Sequence, residues 1–312
     1  MIRYFVGRLL ALIPVLFGIS LLVFFMMALI PGDPAEAILG SYATGENLEK
    51  LRRDLALDRS LPEQYLTWLD NLIRGDFGTS YSLNRPVRDE ILDRLGPTLL
   101  LAGTAFVLCT VLGLAAGVAC AVWQNGWPDR VVGLFVLLGI STPSFWLALL
   151  LVALFSIGLG WFPASGMQSV IDNGGLLTHL TLPALTLALV AAGVVARLMR
   201  TNMLEVLRQD YIRTARAKGL GETRIVGHHA LRNAITGMIP VLGIQAGFVL
   251  GGAVYVETVF QWPGLGRALV TAIQTRDILL VQGAVLVLAC GYVFLNLLAD
   301  LLQHLLDPRL RP

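Results

Sequence analysis

The apolar positions of this chain fall into six long blocks: Leu9 to Ile30, Thr98 to Trp123, Val131 to Ile157, Leu182 to Arg197, Ile235 to Val256 and Ile278 to Leu301. Crossing roughly 30 Å of hydrocarbon takes about 20 apolar residues as a helix, which satisfies every backbone N–H and C=O without water. The blocks are continuously apolar, without the period-two alternation of a barrel strand. The pattern predicts an all-α membrane protein with six transmembrane helices, the fourth the shortest, forming a single transmembrane domain over residues 1–312.

Two polar connections carry helical patterns of their own. Between the first two blocks, Pro31 to Pro97, the run Ser60-Leu61-Pro62-Glu63 reads as a capping box. Tyr65, Trp68, Leu69, Leu72 and Ile73 then follow at helical spacing. The stripe packs on the outer ends of the spans, lies at the lipid interface or serves an external partner. The second connection runs from Arg200 to Ala234. Leu204, Leu207, Tyr211 and Ala215 mark an apolar face, Arg208, Arg213, Arg216 and Lys218 a basic surface, and Gly219 a C-cap. Such a helix contacts anionic lipid, packs on its own chain or enters a partner's groove.

Composition agrees with lipid as the solvent. Only 14% of residues are charged, against about 25% in soluble chains, and mean hydropathy is +0.72, which excludes an ordinary soluble enzyme. The net charge of +2 conceals an asymmetry. Arg3, Arg8, Arg130, the eight basic residues from Arg197 to Arg232, Arg309 and Arg311 fall on one side, and only Arg267 and Arg276 in short loops on the other. The positive-inside rule then places both termini in the cytoplasm and Pro31 to Pro97 outside as a large external loop. The N-terminal block has no small-residue cleavage site and is expected to stay as a signal anchor.

Several chemistries find no residues to carry them. The blocks hold no ionisable side chain before Arg197 and Asp300, near predicted cytoplasmic ends, so no proton relay is visible. Neither Lys50 nor Lys218 follows a glycine, which excludes a P-loop. Gly264-Leu265-Gly266 lacks the third glycine of a dinucleotide fingerprint and reads as a turn after Trp262-Pro263. His228 and His229 are helical neighbours pointing roughly 100° apart and are not expected to share a metal. Cys109, Cys120 and Cys290 all lie in apolar blocks, as small filler. No catalytic group, metal site or nucleic-acid surface is expected.

Within the blocks, Gly243, Gly247 and Gly251 form two overlapping GxxxG patterns, for close helix packing or for a sliding pathway interface. Gln245 between them either lines a pathway or bonds another helix. Pro143, within Ser141-Thr142-Pro143-Ser144, predicts a kink whose freed carbonyl neighbouring hydroxyls satisfy. Ser141, Gln245 and Gly247 are the pathway candidates.

The run Asp210-Tyr211-Ile212-Arg213-Thr214-Ala215-Arg216-Ala217-Lys218-Gly219-Leu220, followed by His229-Ala230-Leu231-Arg232-Asn233-Ala234, resembles the EAA loop of permeases of ATP-binding-cassette importers. Arg213-Thr214-Ala215 stand where the general pattern has Glu-Ala-Ala, and Gly219 matches its glycine; the later Ile-x-Leu-Pro is replaced by His229-Ala230-Leu231-Arg232. In order along the chain, Arg8-Leu9-Leu10, Ile30-Pro31-Gly32-Asp33-Pro34, Gly75-Asp76-Phe77-Gly78, Thr142-Pro143-Ser144-Phe145 and Glu257 to Gly266 are similar to the B-type subunit of the dipeptide/oligopeptide/nickel branch.

The resemblance implies a permease of the bacterial inner membrane that is not itself an enzyme. A second homologous permease would complete its pathway, two cytoplasmic ATPases would hold the ATP and Mg, and an external solute-binding protein would deliver cargo. The coupling residues it points to are Tyr211, Arg213, Thr214, Ala215, Arg216, Ala217, Lys218, Gly219 and Leu220, within a cytoplasmic loop spanning 198–234. Dipeptides or oligopeptides are the expected cargo, with glutathione or nickel chelates as alternatives. A self-sufficient carrier or channel is the rival from another class.

Overall fold

The computed structural model describes residues 2–28, 33–40, 43–54, 57–80, 82–167 and 175–306. Ile30 to Gly32, Arg309 and Arg311, used above, lie outside these. The chain divides into two compact units: residues 1–98 with 263–293, and residues 99–262 with 294–312.

In the first unit, α1 (Ile2–Ala28) is followed by α2 (Pro34–Leu39), α3 (Gly45–Asp54) and α4 (Leu61–Ile73). A two-residue antiparallel ladder, β1 (Thr79–Ser80) with β2 (Arg85–Pro86), leads into α5 (Val87–Val122). Later in the chain, α13 (Leu265–Gln274) and the first half of α14 (Ile278–Leu306) complete the unit. The expected capping box is present: Glu63 accepts from the Ser60 amide at 3.1 Å and from its hydroxyl at 3.0 Å. Part of the stripe on α4 packs on α1, while Ile73 is exposed. Tyr65 meets Phe24 of α1 edge to face, Trp68 packs tilted against the same ring, and the Tyr65 hydroxyl meets Ser20 Oγ at 2.7 Å.

Apolar side chains of α2, α3, α5, α13 and α14 form this unit's core, with Leu39, Val87 and Leu265 essentially inaccessible. Gly283 lets α14 approach α5, since a Cβ there would sit 2.8 Å from Ile91 and 2.9 Å from Val87. Thr98 Oγ1 accepts the Leu265 amide at 2.8 Å, which starts α13 just after the Gly264 N-cap. Two acids here are paired. Glu90, 4% exposed, accepts from both Arg85 and Arg94 at 2.8 Å. Asp33 caps α2 through the Ala35 amide and pairs with Arg52, whose guanidinium holds the Asp33 carboxyl below the usual carboxylate range.

The second unit contains the rest of α5, then α6 (Trp127–Ser141), α7 (Ser144–Leu151) with a π-helical continuation (Val152–Gly158), and α8 (Gly175–Leu207). Beyond α8 come α9 (Asp210–Ala217), α10 (Glu222–Arg224), a π-helical turn (Ile225–Ala230), α11 (Leu231–Thr236), α12 (Ile239–Val259) and the end of α14. Among the described residues five helices are long and apolar enough to span a membrane, and the α6–α7 pair, bent by 111°, would make a sixth. The expected kink at Pro143 is thus a full break. Thr142 Oγ1 donates to Leu138 O at 2.6 Å, and Pro143 O starts α7 by accepting the Trp146 and Leu147 amides at 3.0 Å.

The block read as the shortest becomes a helix of 33 residues, α8. Its polar N-terminal residues bond back to their own helix: Thr178 Oγ1 to Gly175 O at 2.9 Å and Thr181 Oγ1 to Leu177 O at 2.7 Å. α8 is also the most enclosed of the long helices, and glycine makes that possible. At Gly113 a Cβ would lie 2.6 Å from Val195, and at Gly117 it would lie 2.6 Å from Ala196 O and Met199. This GxxxG on α5, not singled out in the sequence, seats α8. Of the glycines that were, Gly243 abuts Ala299 of α14, whereas Gly251 faces open space, so they do not form one uniform packing face.

The spans are less free of acid than the sequence blocks suggested. Helix α12 runs past Val256 and includes Glu257, wholly buried. Asp277, 6% exposed, caps α14 through the Leu280 amide.

Candidate functional site

Helix α8 stops where Arg208 and Gln209 turn, their amides bonding Glu205 O at 3.2 Å and Val206 O at 3.1 Å. Gln209 is extended (ψ 151°) and is the N-cap residue of α9. Thr214 Oγ1 bonds Asp210 O at 3.0 Å, and the helix closes in a Schellman motif. Gly219 takes φ +80°, its amide bonds Arg216 O at 2.9 Å, and the Leu220 amide reaches back to Ala215 O at 3.3 Å. Leu220 folds onto the cluster that holds Ala215, the apolar contact usual for this motif. The expected C-cap at Gly219 is therefore present as a left-handed residue, which glycine adopts without steric cost.

The apolar face differs from expectation. Ile212, absent from the predicted face, is fully buried, with Ala215 beside it at 8% exposed. Tyr211 instead is 43% exposed, and Leu204 and Leu207 belong to α8. Ile212 and Ala215 pack with Met199 and Met203 of α8, Ile225 and Ala230 of the π turn, Ala234 of α11 and Met238. The face is thus occupied by its own chain and is not open to a partner's cleft. Left exposed are Tyr211, Arg213, Thr214, Arg216, Ala217, Lys218 and Gly219.

Polar bonds fix that outer surface. Arg216 grips Glu222 in a fork, Nε to Oε1 at 2.7 Å and Nη2 to Oε2 at 3.3 Å, tying α9 to α10. This pairing lowers the Glu222 pKa and raises that of Arg216. Asn233 Nδ2 bridges from α11 to the Tyr211 hydroxyl at 2.9 Å and to His229 O at 2.9 Å. Asn202 of α8 donates to Ala234 O at 3.4 Å. Neither Glu222 nor Asn233 was chosen from sequence as a functional residue. Their signal is positional: Glu222 follows the glycine-ended helix as the first residue of the next, and Asn233 lies inside the second half of the motif.

A second fixed point lies where α6 begins. Asp129 accepts from Arg200 of α8 at 2.9 and 2.7 Å and from the Asn125 amide at 3.0 Å. The first half of the broken pair is thereby fastened to the helix that leads into α9.

The pathway candidates fall in different settings. Ser141 is exposed at the last residue of α6, next to the break. Gln245 and Gly247 are buried on α12, and Gln245 Oε1 has no hydrogen-bond partner among the described residues. The His228 and His229 rings meet edge to face, centroids 5.1 Å apart. Among the described residues no three metal-ligating side chains cluster.

A model of the family described as "binding-protein-dependent transport system inner membrane component" matches residues 110–312, and a companion model for the N-terminal part of such membrane components matches residues 1–102. The chain belongs to this family. It is 43% identical over 311 residues to the glutathione transport system permease protein GsiC of Escherichia coli strain K12, covering 100% of this chain and 99% of that one. The same figures hold for GsiC of Shigella flexneri serotype 5b. Among solved structures, the inward-facing MetNI methionine ABC transporter aligns over 70% of this chain and 96% of its own, with a TM-score of 0.56 at 20% identity. An amino acid ABC transporter crystallised with histidines aligns over 71% and 94%, with a TM-score of 0.50 at 18% identity. The resemblance read from the motifs holds: this is an inner-membrane permease subunit of an ATP-binding-cassette importer of the peptide/nickel type. Membership implies ATPase and binding-protein subunits as partners, and the family is one of transport subunits, not an enzyme class.

Proposed function

We propose that this chain forms half of a solute pathway completed by a second, homologous permease, and that two ATPases work it through the α9–α11 loop. In this reading it crosses the membrane six times, with the α6–α7 pair as one broken span. Both termini and the α9–α11 loop face the cytoplasm, where the ATP and Mg lie on the ATPases. An external binding protein feeds the opposite side.

The observation that carries the coupling role is the two-sided build of α9. Its inner face, Ile212 and Ala215, is locked into a core shared with α8 and the start of α12. Its outer face carries Tyr211, Arg213, Thr214, Arg216, Ala217, Lys218 and Gly219 in the open, while Leu220 secures the exit. Close-packed cores are stiff, so a displacement applied to the outer face passes to the helix ends and not into local compression. Ala215 and Leu220 then act from within, as anchors. Of the pathway candidates, Ser141 offers an exposed hydroxyl beside the α6–α7 break, and Gln245 and Gly247, buried on α12, remain candidates by position.

The cargo we assign is a short peptide, glutathione first, because full-length relatives at 43% identity carry that name. The test is uptake of labelled glutathione into proteoliposomes holding all subunits, with dipeptides and nickel chelates as competitors. Saturable uptake that requires both ATP and the ATPases is expected. Uphill transport by this chain alone would overturn the reading in favour of a self-sufficient carrier.

A further inference from the structure

The hydroxyl of Tyr211 has a fixed polarity. Asn233, exposed on α11, reaches it from Nδ2 at 2.9 Å, and the same amide nitrogen donates its other proton to His229 O, also at 2.9 Å. His229 O can only accept, so the group facing it is the NH2 and not the amide oxygen. Both N–H bonds are then committed, and the Tyr211 oxygen stands as an acceptor toward Asn233. A phenol that accepts still has its own proton to give. Among the described residues the bond from Asn233 is the hydrogen bond this hydroxyl makes, and nothing takes that proton.

The second bond does the holding. His229 lies four residues before Asn233, so the amide is braced against the backbone of its own helical run and not against another side chain. Tyr211 itself is 43% exposed near the start of α9, while Ile212 and Ala215 turn inward. Arg213 and Lys218, both exposed, follow on the same helix and its C-cap. A hydroxyl donor set among exposed cations matches a carboxylate on whatever meets this surface.

We propose that Asn233 is a positioning residue for the coupling contact, which makes Tyr211 a hydrogen-bond donor presented to a carboxylate of the ATPase. That an ATPase meets this surface rests on the function proposed above. The polarity of the hydroxyl does not.

The experiment uses the complete transporter in nanodiscs, carrying a fluorescently labelled ATPase that is chased with excess unlabelled ATPase, so that its rate of departure is read directly. Changes at an interface act mainly on this rate. Tyr211→Phe removes the donor and keeps the ring, and should speed departure about 10-fold, the scale of one hydrogen bond to a charged group. Asn233→Asp can only accept, so it takes the Tyr211 proton for itself and should match Tyr211→Phe; added to Tyr211→Phe, it should change nothing further. Asn233→Ala frees the hydroxyl without reversing it. It should give a smaller increase that also vanishes in the Tyr211→Phe background, and it carries the test if the acid fails to assemble. An Asn233 effect that persists in full without the hydroxyl marks a purely structural role, and no effect of Tyr211→Phe marks a hydroxyl that meets nothing; either result overturns the proposal. Arg213→Glu and Lys218→Glu separate that failure from failure of the coupling reading. If they speed departure while the Asn233–Tyr211 result is negative, the loop still meets the ATPase; if they too change nothing, the coupling reading falls with the proposal.

Discussion

Ser82 donates its hydroxyl to Asp277 Oδ2 at 2.6 Å, joining residues 195 positions apart. Ser80 donates to the same oxygen, and the other carboxylate oxygen takes the Leu280 amide at 3.2 Å, capping α14. One acid thus fastens the β1–β2 turn to the start of the last long helix. Asp277→Ala removes a helix cap worth about 1 kcal/mol and strands two hydroxyls, so a loss on the order of 2–3 kcal/mol is expected. Asp277→Asn should cost less, because it keeps an acceptor. Midpoints of thermal aggregation in detergent for the two variants check the order; equal midpoints for Ala and wild type would contradict it.

Ile212→Ala tests the inward face of α9. Truncating a fully buried isoleucine costs about 2–5 kcal/mol where the surroundings cannot collapse, and here the cost falls on one short helix. The variant should insert normally but lose most solute-stimulated ATP hydrolysis in the assembled transporter. Tyr211→Ala, at an exposed position, should leave the fold intact and act only through lost partner contact and the lost Asn233 bond. Both variants are read by the ratio of uptake to ATP hydrolysed.

The same two residues show what the sequence conveyed and what it concealed. Leu204, Leu207, Tyr211 and Ala215 share a face only if the helix is continuous. The turn at Arg208 and Gln209 resets the phase, rotating Tyr211 outward and Ile212 inward. No strong breaker marks that turn, whereas Gly219 does mark the helix end. The long spans were legible because lipid demands uniform apolarity, but α8 was clipped because Thr178 and Thr181 look polar while bonding their own backbone. Pairings such as Ser82 with Asp277 join distant segments, and no local pattern encodes them.

Charge reversal separates the two roles open to Arg216. Since it is forked onto Glu222, Arg216→Glu should loosen α10 as well as any partner contact. The swap Arg216→Glu with Glu222→Arg restores the internal pair but not the outward charge pattern. If the ATPase reads that pattern, the swap restores thermal stability and leaves uptake impaired; full rescue of uptake would make Arg216 an internal brace only. The pair also gives a pH sign. Glu222 is depressed by Arg216, so its contribution is present above the ordinary carboxylate range and is lost as pH falls through the depressed value. Both groups are substantially exposed, so salt should weaken the effect.

Gly117→Ala and Gly251→Ala add the same methyl group to two membrane helices with opposite expectations. At Gly117 the new carbon would lie 2.6 Å from a backbone oxygen, Ala196 O, which a rotamer change cannot clear, so α5 and α8 must part. Overpacking of this kind costs about 1–3 kcal/mol. At Gly251 nothing lies within 4 Å, and replacing glycine by alanine inside a helix gains up to about 1 kcal/mol. Heating each variant in detergent and measuring the folded fraction should place Gly117→Ala well below wild type and Gly251→Ala at or above it. If the order is reversed, close approach at Gly113 and Gly117 is not what seats α8, and the route from α9 into the membrane must run through another helix.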